Sequence, residues 1–208
     1  MRRMPSVLGV ADHTGWAHVV CVSAHDRRPF VVARRRMALI DRRLPTQPYE
    51  HDTMAMRSDE AQELVARVRK SIKTATDVAL QRLVEVLSRE HPVTALTIRE
   101  PPFGKLPATV AAVHASYQLQ CSADGMLYHL AICAAAKRLG LDVQLCRRGD
   151  EMDLAAAALD VSPEAVEEFV SGAGRPIGPP WTVEHRRAYA AALAALAPRV
   201  HALTIDSR

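Results

Sequence analysis

Three valine-rich segments in the first 40 positions limit what this chain can fold into more than any other feature. They cover residues 6–11, 16–24 and 30–40, separated by His13-Thr14-Gly15 and by Asp26-Arg27-Arg28-Pro29. Runs rich in β-branched residues, bounded by such turn residues, are typical of strands. The pattern therefore predicts three consecutive strands in an antiparallel meander.

After the meander, helical and strand patterns alternate. Apolar residues recur at helical spacing from Ser58 to Leu87, which predicts one long helix or two helices with a break near residues 74–77. Val93–Ile98 and Asp142–Cys146 have the composition of short buried strands. Further helices are predicted at Pro107–His114, Ser122–Leu139, about 149–171, and 182–197.

The resulting order, β-β-β-α-β-α-β-α, indicates an α/β fold with one mixed sheet and helices on both faces. The 208 residues, 49% of them hydrophobic and 24% charged, suit a single folded domain over residues 1–208, with the helices at 149–171 as an extra element before the last helix.

The sequence contains no apolar run of roughly 18 residues, so we expect a cytoplasmic protein without a membrane partner. The four cysteines lack CxxC spacing, which argues against a zinc site or a disulfide framework.

Basic residues are concentrated at the start of the chain. Residues 1–48 contain nine arginines and only three acids, Asp12, Asp26 and Asp41. Such an excess of positive charge would suit nucleic acid as a partner. The alternative is that these arginines are solvated side chains on edge strands and turns.

Four segments resemble RuvC-type junction resolvases, which have the ribonuclease H-like fold. The fourth predicted strand ends in Ile98-Arg99-Glu100-Pro101-Pro102-Phe103, similar to the glutamate, proline and aromatic residue of that family. Ser122–Leu127 resembles the family's small-residue and glycine stretch, and Glu184–Leu193 resembles its last helix. Leu8–Trp16 is similar to the opening strand and the Thr-Gly-aromatic turn, with a deletion.

The resemblance implies a bacterial nuclease that cleaves phosphodiesters with two Mg²⁺ or Mn²⁺ ions held by carboxylates. On this basis the metal ligands are Asp12, Glu100 and Glu184, and His185 or His13 would transfer a proton to the leaving group. Each residue also has a structural interpretation. Glu100 could pair with a neighbouring cation at a strand end, and Glu184 could simply favour the first turn of a helix.

Two departures from the family pattern favour an alternative without catalysis. In the family register, Ala11 takes the metal-ligand position and Asp12 points to the opposite face of the sheet, because side chains on a strand alternate. Arg187 takes the place of the second carboxylate of the last helix. The alternative is a ribonuclease H-like scaffold that binds nucleic acid or a protein partner.

Two further possibilities stay open. Sugar kinases and related ATPases share a similar core, and Asp12-His13-Thr14-Gly15 is loosely like their phosphate turn, but they usually need two such halves. The loop Tyr49-Glu50-His51-Asp52 adds two acids and a histidine that could lie near the sheet. The sequence does not fix the oligomeric state.

Overall fold

The computed structural model describes residues 3–101 and 104–205. The three valine-rich segments form strands β1 (Ser6–His13), β2 (Trp16–His25) and β3 (Arg28–Ala38). Each pairs with the next in antiparallel fashion, so the predicted meander is confirmed. β1 and β2 are longer than predicted, because Asp12, His13 and His25 continue the hydrogen-bonded ladder, whereas β3 has the predicted length and begins two residues earlier.

Two more strands complete a mixed sheet that has five strands in the described part of the chain. Strands β4 (Val93–Arg99) and β5 (Asp142–Cys146) run parallel to β1, and the order across the sheet is β3-β2-β1-β4-β5. The predicted α/β class with one mixed sheet is confirmed. Parallel neighbours need crossover connections, and helices supply them here.

Within residues 3–101 and 104–205, six helices and three short helical turns connect and cover the sheet. The helices are α1 (Ser58–Leu87), α2 (Val110–Val113), α3 (Tyr117–Arg138), α4 (Glu151–Leu159), α5 (Pro163–Gly172) and α6 (Val183–Leu196). The turns are a π-helical turn at Pro48–Asp52 and 3₁₀ turns at Arg175–Ile177 and Ala197–Arg199.

Caps explain where the helices differ from the predicted bounds. α1 is a single helix of 30 residues without a break. α3 begins five residues before the predicted Ser122, because the Ser116 side chain accepts a hydrogen bond from the backbone N–H of Leu119 (3.2 Å). α2 is shorter than the predicted Pro107–His114, because the side chain of Thr109 caps a helix that begins only at Val110.

Two hydrophobic layers lie on opposite faces of the sheet. Leu8 and Val10 of β1 face α1 and α3, and Val7 faces α6. Gly9 also faces α6, and a Cβ atom at this position would lie 1.8 Å from the carbonyl oxygen of Ala188. The close approach that glycine permits brings the first turn of α6 towards the carboxyl end of β1.

None of the helices in the described ranges is both long and apolar enough to cross a membrane.

Candidate functional site at the carboxyl ends of the strands

The parallel strands β1, β4 and β5 end at the same edge of the sheet, which we call the strand-end edge. A cavity of about 490 Å³ opens there, against α3. Its charged lining residues are Asp12, Arg99, Glu100, His129, Arg147 and Arg148. Ligands of open α/β sheets bind outside the carboxyl ends of the strands, so this cavity is the natural candidate site.

Asp12 lies on the α3 face of the sheet, where a histidine compensates its charge. The Oδ2 atom of Asp12 is 3.8 Å from Nδ1 of His129, and the other ring nitrogen of His129 is 3.6 Å from Sγ of Cys133. Burial alone would lower the pKa of His129. The favourable interactions of the ring with Asp12 and Cys133 outweigh burial and raise that pKa to about 9. His129 is therefore a cation at neutral pH.

Arg99 binds two carboxylates on the opposite face. Its Nε atom lies 3.3 Å from Glu151, and a terminal nitrogen lies 3.0 Å from Oε2 of Glu184. The side chain of Glu151 is only 3% exposed, and its second oxygen accepts a hydrogen bond from the N–H of Gly149 (2.9 Å). These three residues form a partly buried triad, which we call the Arg99 triad.

Glu100 continues the sheet through its backbone and leaves its side chain at the cavity. Its N–H donates to the carbonyl oxygen of Cys146 (2.8 Å), and its carboxylate is half-exposed, 3.9 Å from Nε of Arg147. Its partner is thus Arg147, while Arg99 pairs with Glu151 and Glu184. Pro102 and Phe103, which complete the motif, lie outside the described residues.

His185 is buried at the start of α6. Its Nδ1 atom accepts a hydrogen bond from the backbone N–H of Thr182 (3.1 Å), and its Nε2 atom lies 3.1 Å from Nδ1 of His18. Burial, together with His18 and Arg34, lowers the pKa of His185 to about 4. The ring is thus neutral at pH 7, and its one proton is on Nε2, directed at His18.

His13, the other histidine considered for proton transfer, ends β1 beside an aromatic ring. It stacks on Trp16 with ring centroids 4.0 Å apart, and the guanidinium of Arg36 lies 4.4 Å from the Trp16 centroid. Burial lowers the pKa of His13. Both histidines proposed for proton transfer are therefore neutral rings that pack against other aromatic side chains.

The polar loop at Tyr49–Asp52 packs on α3 rather than on the strand ends. The buried carboxylate of Asp124 accepts hydrogen bonds from the N–H groups of Tyr49 (3.1 Å) and Glu50 (3.0 Å). Burial raises the pKa of Asp124 to about 7 despite these bonds. Glu50 is in turn held by the hydroxyl of Tyr117 (3.0 Å) and the amide of Gln47 (2.6 Å).

Two of the described arginines in residues 1–48 have local structural partners. Arg34 donates to the carbonyl oxygens of Gly178 (2.9 Å), Pro179 (3.2 Å) and Pro180, and so ties β3 to the linker before α6. Arg43 pairs with Asp41 at 2.8 Å. These contacts give both side chains a structural role that does not require nucleic acid.

The residues present do not fit a two-metal centre. Such a centre needs several carboxylates free to surround the ions. Across residues 3–101 and 104–205, no group of three or more His, Cys, Asp or Glu side chains is placed to hold a metal ion. Of the three predicted ligands, Asp12 and Glu100 share a cavity, while Glu184 lies on the other face, bound to Arg99.

The sequence reasoning missed the cations that occupy the site, Arg99 and His129. Arg99 stands beside Glu100 in the motif, and strand alternation alone places it on the α6 face, so that signal was present. His129 lies on α3, and only the tertiary fold brings it to Asp12. The pairing of Glu151 with Arg99 joins residues 52 positions apart and has no local signal.

No protein-family model and no curated protein matches the sequence. Solved structures do. The structure of RuvC from Thermus thermophilus in complex with a Holliday junction substrate superposes with a TM-score of 0.53 at 16% identity, covering 96% of this chain and 98% of that one. Another Thermus thermophilus RuvC structure gives 0.50 at 17% identity, with 93% and 95% covered. The chain therefore has the ribonuclease H-like fold found in RuvC, which confirms, for the fold, the resemblance of its sequence motifs.

Proposed function

We propose that this protein is a ribonuclease H-like nucleic-acid-binding protein that does not use two-metal catalysis. The observation that carries the proposal is the Arg99 triad, in which one guanidinium binds both Glu151 and Glu184 at the strand-end edge. A guanidinium stays protonated at every physiological pH, so it compensates these carboxylates permanently. A divalent cation would have to displace it against charge repulsion.

The cavity beside the triad has the chemistry of a phosphate site. Arg147 and Arg148 directly follow β5, are exposed, and line the cavity together with the protonated His129. Guanidinium groups bind phosphate oxygens through paired, charge-assisted hydrogen bonds. The related structure of Thermus thermophilus RuvC holds a Holliday junction substrate on the same fold, which supports nucleic acid as the ligand class.

Binding without metal is tested with a fluorescein-labelled four-way DNA junction and a matched duplex in EDTA. We expect anisotropy titrations to show binding that weakens steeply with salt, as counterion release requires. Replacing both Arg147 and Arg148 by alanine should weaken binding at least about tenfold and lower the salt slope by about 2. The control replaces two exposed arginines elsewhere, Arg42→Ala with Arg89→Ala, and should change binding much less.

The proposal fails if the protein binds neither DNA at low salt, or if the two double variants weaken binding equally. The second result would mean that the overall charge, rather than the cavity, attracts the DNA.

A magnesium-dependent nuclease is the second candidate function, favoured by the fact that Asp12 and Glu100 line one cavity. It would require Glu184 to leave Arg99 and join Asp12 and Glu100 around Mg²⁺ or Mn²⁺, and His185 to leave His18 and transfer the proton. Junctions, single strands and RNA–DNA hybrids incubated with either ion distinguish the two proposals. Cleavage that disappears in Glu100→Gln would establish the nuclease and replace the first proposal.

A further inference from the structure

A long groove runs between α1 and β3, away from the strand-end edge. Its volume is about 970 Å³, and its floor is mostly apolar, with contributions from Met37, Leu44 and Leu83. On one side it is bounded by α1, and on the other by the last residues of β3 and the loop that follows. It is the larger of the two cavities described here and is not used by the proposed function.

The α1 wall of the groove is one continuous helical stripe. Residues at three- and four-residue spacing from Arg67 to Val86 line it. At 1.5 Å per residue, this stripe is about 28 Å long, the length of a helix of about five turns. Val78 and Val86 in the stripe are 63% and 51% exposed, so apolar surface faces solvent along the groove.

The rim of the groove is strongly basic. Four cations line it: Arg35, Arg67, Lys70 and Arg82. None of the four forms an ion pair with a carboxylate in the described residues. Arg36 also borders the groove, but its guanidinium lies over the ring of Trp16. Asp41 is the acid among the lining residues, and Arg43 already compensates it. The groove thus combines an apolar floor with a positive rim.

We propose that this groove binds an acidic amphipathic helix of a protein partner. Helix-in-groove recognition places the apolar face of a helix on an apolar floor, and acids beside that face would meet the basic rim. Nucleic acid would match the charge but leave exposed apolar residues such as Val78 uncovered. A second copy in a two-fold dimer would bring each basic rim against its own equivalent, which charge repulsion opposes.

The test uses three labelled synthetic peptides of 18 residues. The first carries leucines at i, i+3, i+4 and i+7 with glutamates on the flanks, the second replaces glutamate by lysine, and the third is a scrambled glutamate peptide. Anisotropy titrations at about 0.15 M salt should show binding of the first peptide at least tenfold tighter than of the other two.

Substitutions locate the binding. Val78→Asp and Arg82→Glu should each weaken binding of the acidic helix at least tenfold, because one places a charge on the apolar floor and the other reverses a rim charge. The matched controls are Leu130→Asp, on a side chain of α3 that is 56% exposed, and Arg89→Glu, just beyond α1. They should change binding less than twofold.

Three results would overturn the proposal: no preference for the acidic helix, equal effects of groove and control substitutions, or sedimentation showing a dimer that Val78→Asp dissociates. The last result would assign the groove to a second copy of the chain. Circular dichroism of each variant establishes that it is folded, and a misfolded variant is replaced by Val86→Asp or Lys70→Glu at the same surface.

Discussion

At the strand-end edge, the two faces of the sheet compensate the negative charge of their carboxylates in different ways. On the α6 face, Arg99 compensates Glu151 and Glu184 with a charge that does not titrate. On the α3 face, His129 compensates Asp12 with a charge that disappears above a pKa of about 9. One pairing is permanent and the other depends on pH, although both place a cation beside an acid at the same edge of the sheet.

This difference shows that side chains alone can compensate the acids at one edge of a sheet in two ways. A carboxylate at a strand end is costly to bury unless something positive lies next to it. In this molecule side chains supply that charge on both faces, so the acids need no metal ion for stability. The four predictions that follow test the two faces against each other.

Arg99→Met should have the largest effect. It removes the only side-chain cation within 4 Å of Glu151 among the described residues, and leaves that acid buried and uncompensated. We expect a loss of about 3–5 kcal/mol in the free energy of unfolding, measured by urea denaturation at pH 7. Adding Glu151→Gln should recover part of it. Arg147→Met, on an exposed cation, should cost less than about 0.5 kcal/mol, and an equal loss there would refute the triad's role.

Glycine substitutions should have opposite effects on the two faces. Gly9→Ala places a Cβ atom 1.8 Å from the Ala188 carbonyl on the α6 face, so about 3 kcal/mol of stability should be lost as α6 moves away. Gly125→Ala in α3 meets no atom within 4 Å and should stabilise the helix by up to about 1 kcal/mol. Thermal unfolding of both variants checks the pair. A tolerated Gly9→Ala would contradict the close contact of β1 with α6.

The His129–Asp12 pair should make stability depend on pH. The folded-state pKa of His129, about 9, lies above its ordinary value of 6.5. Its contribution is therefore fully present below pH 6.5 and is lost as pH rises through 9. The loss should be about 3 kcal/mol at most. Urea denaturation at pH 6.5 and pH 9.5 should show it in the natural chain and not in His129→Gln. An equal decline in both chains would place the dependence elsewhere.

Two buried tyrosines give the smallest and best-matched contrast. On the α3 face, the hydroxyl of Tyr128 donates to the carbonyl oxygen of Thr46 (2.8 Å). On the α6 face, the hydroxyl of Tyr189 is buried without a hydrogen-bond partner in the described structure. Tyr128→Phe should cost about 1 kcal/mol, and Tyr189→Phe should cost nothing or stabilise slightly. Equal losses in denaturation would mean that the Tyr189 hydroxyl has a partner after all.

Most of the fold could be predicted because its signals are local. Valine-rich runs and turn residues located all three strands of the meander, and Asp142–Cys146 has the bounds that the sequence predicted. Helix ends were less predictable, since two residues that can cap a helix compete within a few positions. Ser116 caps α3, whereas the apolar pattern predicted that this helix begins at Ser122.

The site was less predictable because its acids meet partners that are distant in sequence. The resemblance to the resolvases predicted Asp12, Glu100 and Glu184 as site residues. Strand alternation predicted that Asp12 would point to the face opposite to that of Ala11. The compensating partners are a histidine 117 residues from Asp12 and an arginine 85 residues from Glu184. Such ion pairs cannot be predicted from periodicity or from a short motif, since only tertiary packing brings the partners together.

The outermost strand, β3, also bears on how the protein behaves at high concentration. Eleven residues long, it has a partner on one side only within the described part of the chain, and β5 at the far border has only five residues. An unpaired strand of that length invites sheet-to-sheet growth between molecules. Three consecutive arginines, Arg34 to Arg36, stand on it. Two molecules that approached border to border would bring these like charges together, so the arginine run should help keep the protein from aggregating.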